Sequence, residues 1–170
     1  MATIAHDTPA ERSEFLSAWL QTGLAVAISD GLFASATGMF IAPYATPLRV
    51  FRGVASVLLG KDALNGGLTT GLIGIGLHFC TAMFWSGVFL IAIRSSSILR
   101  NAIRRWPGAL LVASVYGPSI WLFMSLVFIP AMLHRPPTIG TKWWVQLVGH
   151  IPFVVMPMIL VNRNRGAHVS

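Results

Sequence analysis

Apolar residues fall in four long blocks along the 170-residue chain, separated by short polar stretches. From Gly66 to Ile93 it reads GGLTTGLIGIGLHFCTAMFWSGVFLIAI, 28 residues with no Asp, Glu, Lys or Arg and a single histidine, His78. A helix rises about 1.5 Å per residue, so roughly 20 residues cross a hydrocarbon layer about 30 Å thick. This block is long enough to span with tilt. The same reading predicts spans at residues 16–42, 67–93, 108–132 and 143–161, with Asp30 the only formal charge between Phe15 and Leu48. Pro43 is expected to end the first span, and Trp19 and Tyr44 suit the two interfacial belts. Pro118 is expected to kink the third, and Pro152 and Pro157 break the pattern of the fourth.

Between the first two spans, Leu48, Phe51, Val54, Ala55, Leu58 and Leu59 recur at helical spacing, with Arg49, Arg52 and Ser56 on the other side. This predicts a short amphipathic helix over residues 47–63, lying in the interface or folding partly back into the protein. Thr8, Pro9 and Glu11 have the form of a helix start, and Thr141 is a candidate cap for the last helix. The expected fold is all-α: an integral membrane four-helix bundle, one membrane domain over residues 1–170, with the short amphipathic helix between spans one and two.

Composition strengthens this picture. Hydrophobic residues make up 55% of the chain and charged ones 10%, and the mean hydropathy is +0.71. These values suit a chain solvated by lipid. The formal net charge of +7 does not point to nucleic acid, because the basic residues stand at the ends of apolar runs, where anionic lipid headgroups account for them. Acidic residues near the start and a long first apolar run favour a retained span over a cleaved signal peptide. Cys80 is the one cysteine and has no intrachain partner for a disulfide.

The stretch after the second span, RSSSILRNAIRRW, carries Arg94, Arg100, Arg104 and Arg105 without an acid. It is expected to be a cytoplasmic loop facing lipid headgroups or a partner. Four spans put both termini on one side. That side collects those four arginines with Arg12, Arg163 and Arg165, against Arg49, Arg52, Lys61, Arg135 and Lys142 opposite. Both termini are therefore expected in the cytoplasm.

Chemistry can reside only in the few polar residues at depth. A carboxylate at the centre of a span costs about 2.5 to 3.5 kcal/mol on insertion scales, so Asp30 should face the bundle interior and a partner. Counted from the expected outer ends, Asp30 and His78 lie roughly 17 Å deep and His150 roughly 10 Å deep. Asp30, His78 and His150 are the candidate polar cluster, the last joining only if the fourth helix bends inward. Three readings follow: a proton or small-cation relay through a carboxylate and imidazoles; a polar pair that fixes helix register in a structural or accessory subunit; and a b-type haem ligated by His78 and His150, which the depth mismatch disfavours. No cofactor is otherwise expected.

Thr70, Gly74, His78 and Ala82 are four apart, as are Gly67 and Gly71, so Gly67, Gly71 and Gly74 are expected to let another helix, a second copy or a membrane-complex partner approach closely. The glycine-rich stretch lacks the GxxxxGK[ST] pattern of a phosphate loop, and no GxSxG elbow occurs. The scattered histidines at positions 6, 78, 134, 150 and 168 give no zinc spacing. Catalytic residues and a metal site are not expected.

At RVFRGVASVLLGKDALNGG, GLHFCTAMFW, LFMSLVFIP and RPPTIGTKWWVQLVGH the chain resembles a group of small bacterial inner-membrane proteins without an assigned activity, and more distantly the YagU-like family. The resemblance extends from about Arg49 to Val161 and is carried by Gly76, Leu77, His78 and Phe79, by Pro130, Pro136 and Pro137, and by Gly149 and His150. It implies a four-span bacterial inner-membrane fold and no particular reaction. Asp30 lies outside the matching region.

Overall fold

The computed structural model describes residues 8–41 and 45–165. Pro43 and Tyr44, expected at the end of the first span, lie outside the described residues, as do His6 and His168. Among the described residues there are only helices and their connections. Four are long and apolar enough to cross a membrane: α1 (Pro9–Ile41), α3 (Gly67–Ser95), α5 (Trp106–Leu133) and α6 (Thr141–Asn162). Two shorter helices, α2 (Pro47–Leu59) and α4 (Ser97–Arg104), join them.

Helix starts follow their local chemistry. Thr8 Oγ1 accepts from Glu11 N at 3.3 Å while Thr8 N donates to Glu11 Oε2 at 2.8 Å, a reciprocal cap that satisfies two otherwise free N–H groups. Thr46 caps α2 by accepting from Arg49 N, and Ser96 caps α4 by accepting from Leu99 N at 3.2 Å. The last helix differs from expectation: Thr141 is its first residue, and the cap position falls on Gly140, which has no side chain to do the work.

The long helices pack around Phe89, Val26, Val155, Met158 and Ile159, with Ala109 and Ala113 on α5 letting the backbones close in. Polar bonds tie the same interior. Asn162 Nδ2 donates to Thr22 Oγ1 at 2.8 Å, joining the middle of α1 to the end of α6. Trp19 Nε1 donates to Met83 O at 2.7 Å, so this indole ties α1 to α3. Outward, Leu16, Leu20, Leu24, Ile28 and Leu32 form a four-apart stripe along α1, each more than half exposed. A stripe of that length meets hydrocarbon rather than water.

Two expectations change, on the arginine stretch and on the amphipathic segment. Pro118 does not interrupt its helix: α-helical geometry runs through it from Trp106 to Phe123. The wider π-type turns come instead at Met124–Phe128 and Ile151–Val155, each ending two residues before a proline, Pro130 and Pro157. A proline ring collides with the carbonyl four residues back and supplies no N–H, and one widened turn relieves both problems. The arginine-rich stretch is no open loop but the helix α4. The amphipathic segment stops at Leu59, where Gly60 takes φ 80°, and a single 3₁₀ turn over Lys61–Asn65 leads into α3.

Candidate functional site in the bundle interior

Small residues on α3 set the frame. A Cβ on Gly74 would stand 1.8 Å from the Phe51 carbonyl oxygen, and one on Gly71 2.0 Å from Leu48 Cδ1. The helix that uses this glycine face is thus α2 of the same chain, which folds back against α3. Gly67 has a different reason to be glycine: nothing lies within 4 Å of its Cβ position, and its φ of +74° is a left-handed value that suits a residue without Cβ.

The close α2 approach sets Phe51 edge-on to His78, with ring centroids 5.6 Å apart. Across the bundle, Gly31 on α1 leaves room for the same imidazole, since a Cβ there would be 3.4 Å from His78 Nε2. His78 is thereby held among three helices. Its Nε2 lies 3.1 Å from Ala27 O and its Nδ1 3.9 Å from Asp30 Oδ2, with the His78 and Asp30 side chains 15% and 18% exposed.

These two distances fix a proton inventory. A carbonyl oxygen only accepts, so the hydrogen on Nε2 belongs to the Ala27 bond. In a neutral ring Nδ1 then bears a lone pair and faces a carboxylate oxygen that also carries lone pairs. The contact is attractive as an ion pair when the imidazole carries its second hydrogen, on Nδ1. At 3.9 Å the contact is an ion-pair distance, longer than a direct hydrogen bond. The other carboxylate oxygen, Asp30 Oδ1, is buried and has no hydrogen-bond partner among the described residues.

His150 enters from α6. Its Nδ1 lies 2.7 Å from Gln146 O, which assigns that hydrogen to Nδ1 and leaves the lone pair on Nε2. The ring lies against Trp121 with centroids 5.1 Å apart. Gly117 makes the approach possible, because a Cβ there would stand 2.9 Å from the His150 carbonyl. The expected depth mismatch shrinks because α6 begins at Thr141, two residues earlier than the predicted span. His150 is nine residues into its helix, and Asp30 and His78 are each eleven from their outer helix ends, a difference of about 3 Å.

Phe51, Gly31, Gly117 and Trp121 shape this site and escaped the sequence reading. Nothing in helical periodicity says which apolar ring meets a histidine on another helix. The glycines gave the only available signal, Gly31 beside Asp30 and Gly117 beside Pro118.

The imidazoles do not suit a bis-histidine haem. His78 Nε2 is spent on Ala27 O and Nδ1 looks at Asp30, while His150 lies against an indole. Neither histidine lines the groove at Phe33 and Phe153 or the cleft at Trp121 and Trp143. Among the described residues, no three His, Cys, Asp or Glu side chains converge as metal ligands.

At the end of the bundle where α1 begins, the arginines make a clasp. Arg100 donates to the carbonyls of Ile93 and Arg94, covering the C-terminal end of α3. The Arg94 guanidinium lies 4.7 Å over the Phe15 ring, and Arg163 lies 4.2 Å over Trp106 and donates to Arg104 O at 3.3 Å. Arg105 is exposed at the turn into α5. This basic collar holds helix ends together, a role beyond the solvated anchor expected of it. No protein-family model, curated protein or solved structure matches the chain.

Proposed function

We propose that this multi-pass membrane protein relays protons across the apolar layer through Asp30, His78 and His150. The observation that carries the reading is the buried pair itself: His78 Nδ1 lies 3.9 Å from Asp30 Oδ2, and the second carboxylate oxygen is buried with no hydrogen-bond partner among the described residues. In this reading the transferred proton passes between His78 Nδ1 and Asp30 Oδ2 while the Ala27 bond keeps the ring in place. His150, with a lone pair on Nε2, is the next acceptor toward the end where α6 begins. A proton suits this donor set better than a metal cation, which needs more ligands than converge here. The setting we propose is a bacterial inner membrane, with both termini cytoplasmic and the basic collar against anionic headgroups.

The test is proton flux in liposomes driven by a pH gradient. Asp30→Asn should reduce flux to that of empty liposomes, whereas Asp62→Asn, an exposed acid in the turn after α2, should leave it unchanged. His78→Gln separates relay from structural glue: an amide can still donate to Ala27 O but does not titrate, so flux should vanish while thermal stability holds. Equal flux in all these variants would end the proposal. A second reading, an accessory subunit, is favoured by an outward-facing apolar groove of about 470 Å³ lined by Phe33, Val148 and Phe153. It predicts no flux and steady co-purification with one membrane partner.

A further inference from the structure

A second cleft, of about 580 Å³, opens at the end of the bundle opposite the arginine collar, between the second half of α5, the 134–140 connection and the start of α6. Its volume falls in the range of small-molecule sites. Two kinds of surface line it. Ile41, Ile129 and the indole-bearing Trp121 and Trp143 are apolar and aromatic, while Arg135 and Lys142 add two cations. Both cations are exposed, and neither makes an ion pair among the described residues. The acids among the described residues lie elsewhere: Glu11 and Glu14 at the opposite end, Asp30 in mid-helix, Asp62 in the turn after α2. None lines the cleft. Fixed backbone dipoles add the same sign, because the first turn of α6 borders the cleft and carries no side-chain cap.

We infer that this cleft binds an amphiphilic anion, a carboxylate or phosphate group held by Arg135 and Lys142 with an apolar body against Trp121, Trp143 and Ile129. Charge complementarity sets the head, and the aromatic and aliphatic walls set the tail. A cation of the same shape meets two like charges, and a small inorganic anion leaves the apolar wall unused. None of Asp30, His78 and His150 lines the cleft, and Trp121, which packs against His150, is the residue common to both sites.

The protein in detergent is titrated with bromine-substituted decanoate, whose heavy atom quenches nearby indoles, and with a brominated decyltrimethylammonium salt as the cationic counterpart. Decanoate should quench and saturate, and the cation should not. Arg135→Gln with Lys142→Gln should weaken decanoate about fivefold to tenfold, in line with two partly exposed ion pairs. Lys61→Gln, a lysine at the same end but outside the cleft, should have no effect. Arg135→Glu with Lys142→Glu should invert the preference, which keeps the test sharp because surface charge reversals leave the bundle interior alone. A parallel arm in nanodiscs uses a brominated anionic phospholipid. Quenching there alone identifies a lipid headgroup as the source, quenching by decanoate alone identifies a soluble acid, and both carry the same anion chemistry. Equal quenching by the anion and the cation, or unchanged quenching in the double variants, overturns the site.

Discussion

Glycine does different work at neighbouring positions of α3, and substitution should expose it. A methyl group on Gly74 would overlap a backbone oxygen, Phe51 O at 1.8 Å, and backbone moves only if α2 as a whole moves. Gly74→Ala should therefore destabilise the protein by about 1 to 3 kcal/mol, the range for overpacking. Two residues on, nothing lies within 4 Å of a Cβ on Gly76. Gly76→Ala should be neutral or stabilise by up to about 1 kcal/mol, because alanine favours helix and narrows the unfolded ensemble. Thermal unfolding of both variants in one detergent reads the contrast; similar midpoints would mean that α2 does not rest on α3. Gly74→Ala should also disturb proton flux, since Phe51 on α2 supports the His78 ring. The spacing of Gly71 and Gly74 was legible in the sequence as a packing face. The identity of the helix seated on it was not, because a small-residue stripe fits any partner of suitable shape.

Among the elements, the four long helices were legible because hydrocarbon imposes one rule on every lipid-facing turn: apolar side chains and internally satisfied backbone. What escaped prediction depends on long-range contact. Pro118 stands inside unbroken α-helical geometry, whereas the widened turns answer Pro130 and Pro157. The arginine stretch reads as a loop because its charge dominates, yet Ser96 caps it into α4 and Arg100 binds it to the end of α3. That clasp is testable. Arg100→Ala removes a charged donor from two carbonyls, at a cost of about 1.5 to 3 kcal/mol for a hydrogen bond to a charged group. Faster amide exchange confined to α4 and the last turn of α3 is the expected signature, with the centres of α1 and α5 unchanged. Uniform acceleration along all the helices would instead make α4 part of the cooperative core.

For the molecule as a whole, what remains is which way it sits. Contacts join Arg94 to Phe15 and Arg163 to Trp106 and the Arg104 carbonyl, and four antiparallel crossings place the start of α1, the end of α3, the start of α5 and the end of α6 on one face of the membrane. Seven basic residues gather there by sequence position against five opposite. Their engagement with carbonyls and rings does not weaken the argument: a guanidinium in a hydrogen bond keeps its charge, and translocating it stays unfavourable. The dense group from Arg94 to Arg105 follows directly after a span, within the distance over which such charges set orientation. With Cys80→Ser as background, single cysteines are introduced at Ser97, exposed at the start of α4, and at Thr138, exposed in the connection before α6. In intact bacterial cells a membrane-impermeant maleimide should label Thr138→Cys and leave Ser97→Cys untouched until the membrane is opened. The same orientation turns the Arg135 and Lys142 cleft away from the cytoplasm, so that an anion would enter from outside and His150 would lie between that entrance and the Asp30 pair. Reversed labelling would invert the direction of the proposed relay and move the cleft to the cytoplasmic face, while every helix contact described above would stand.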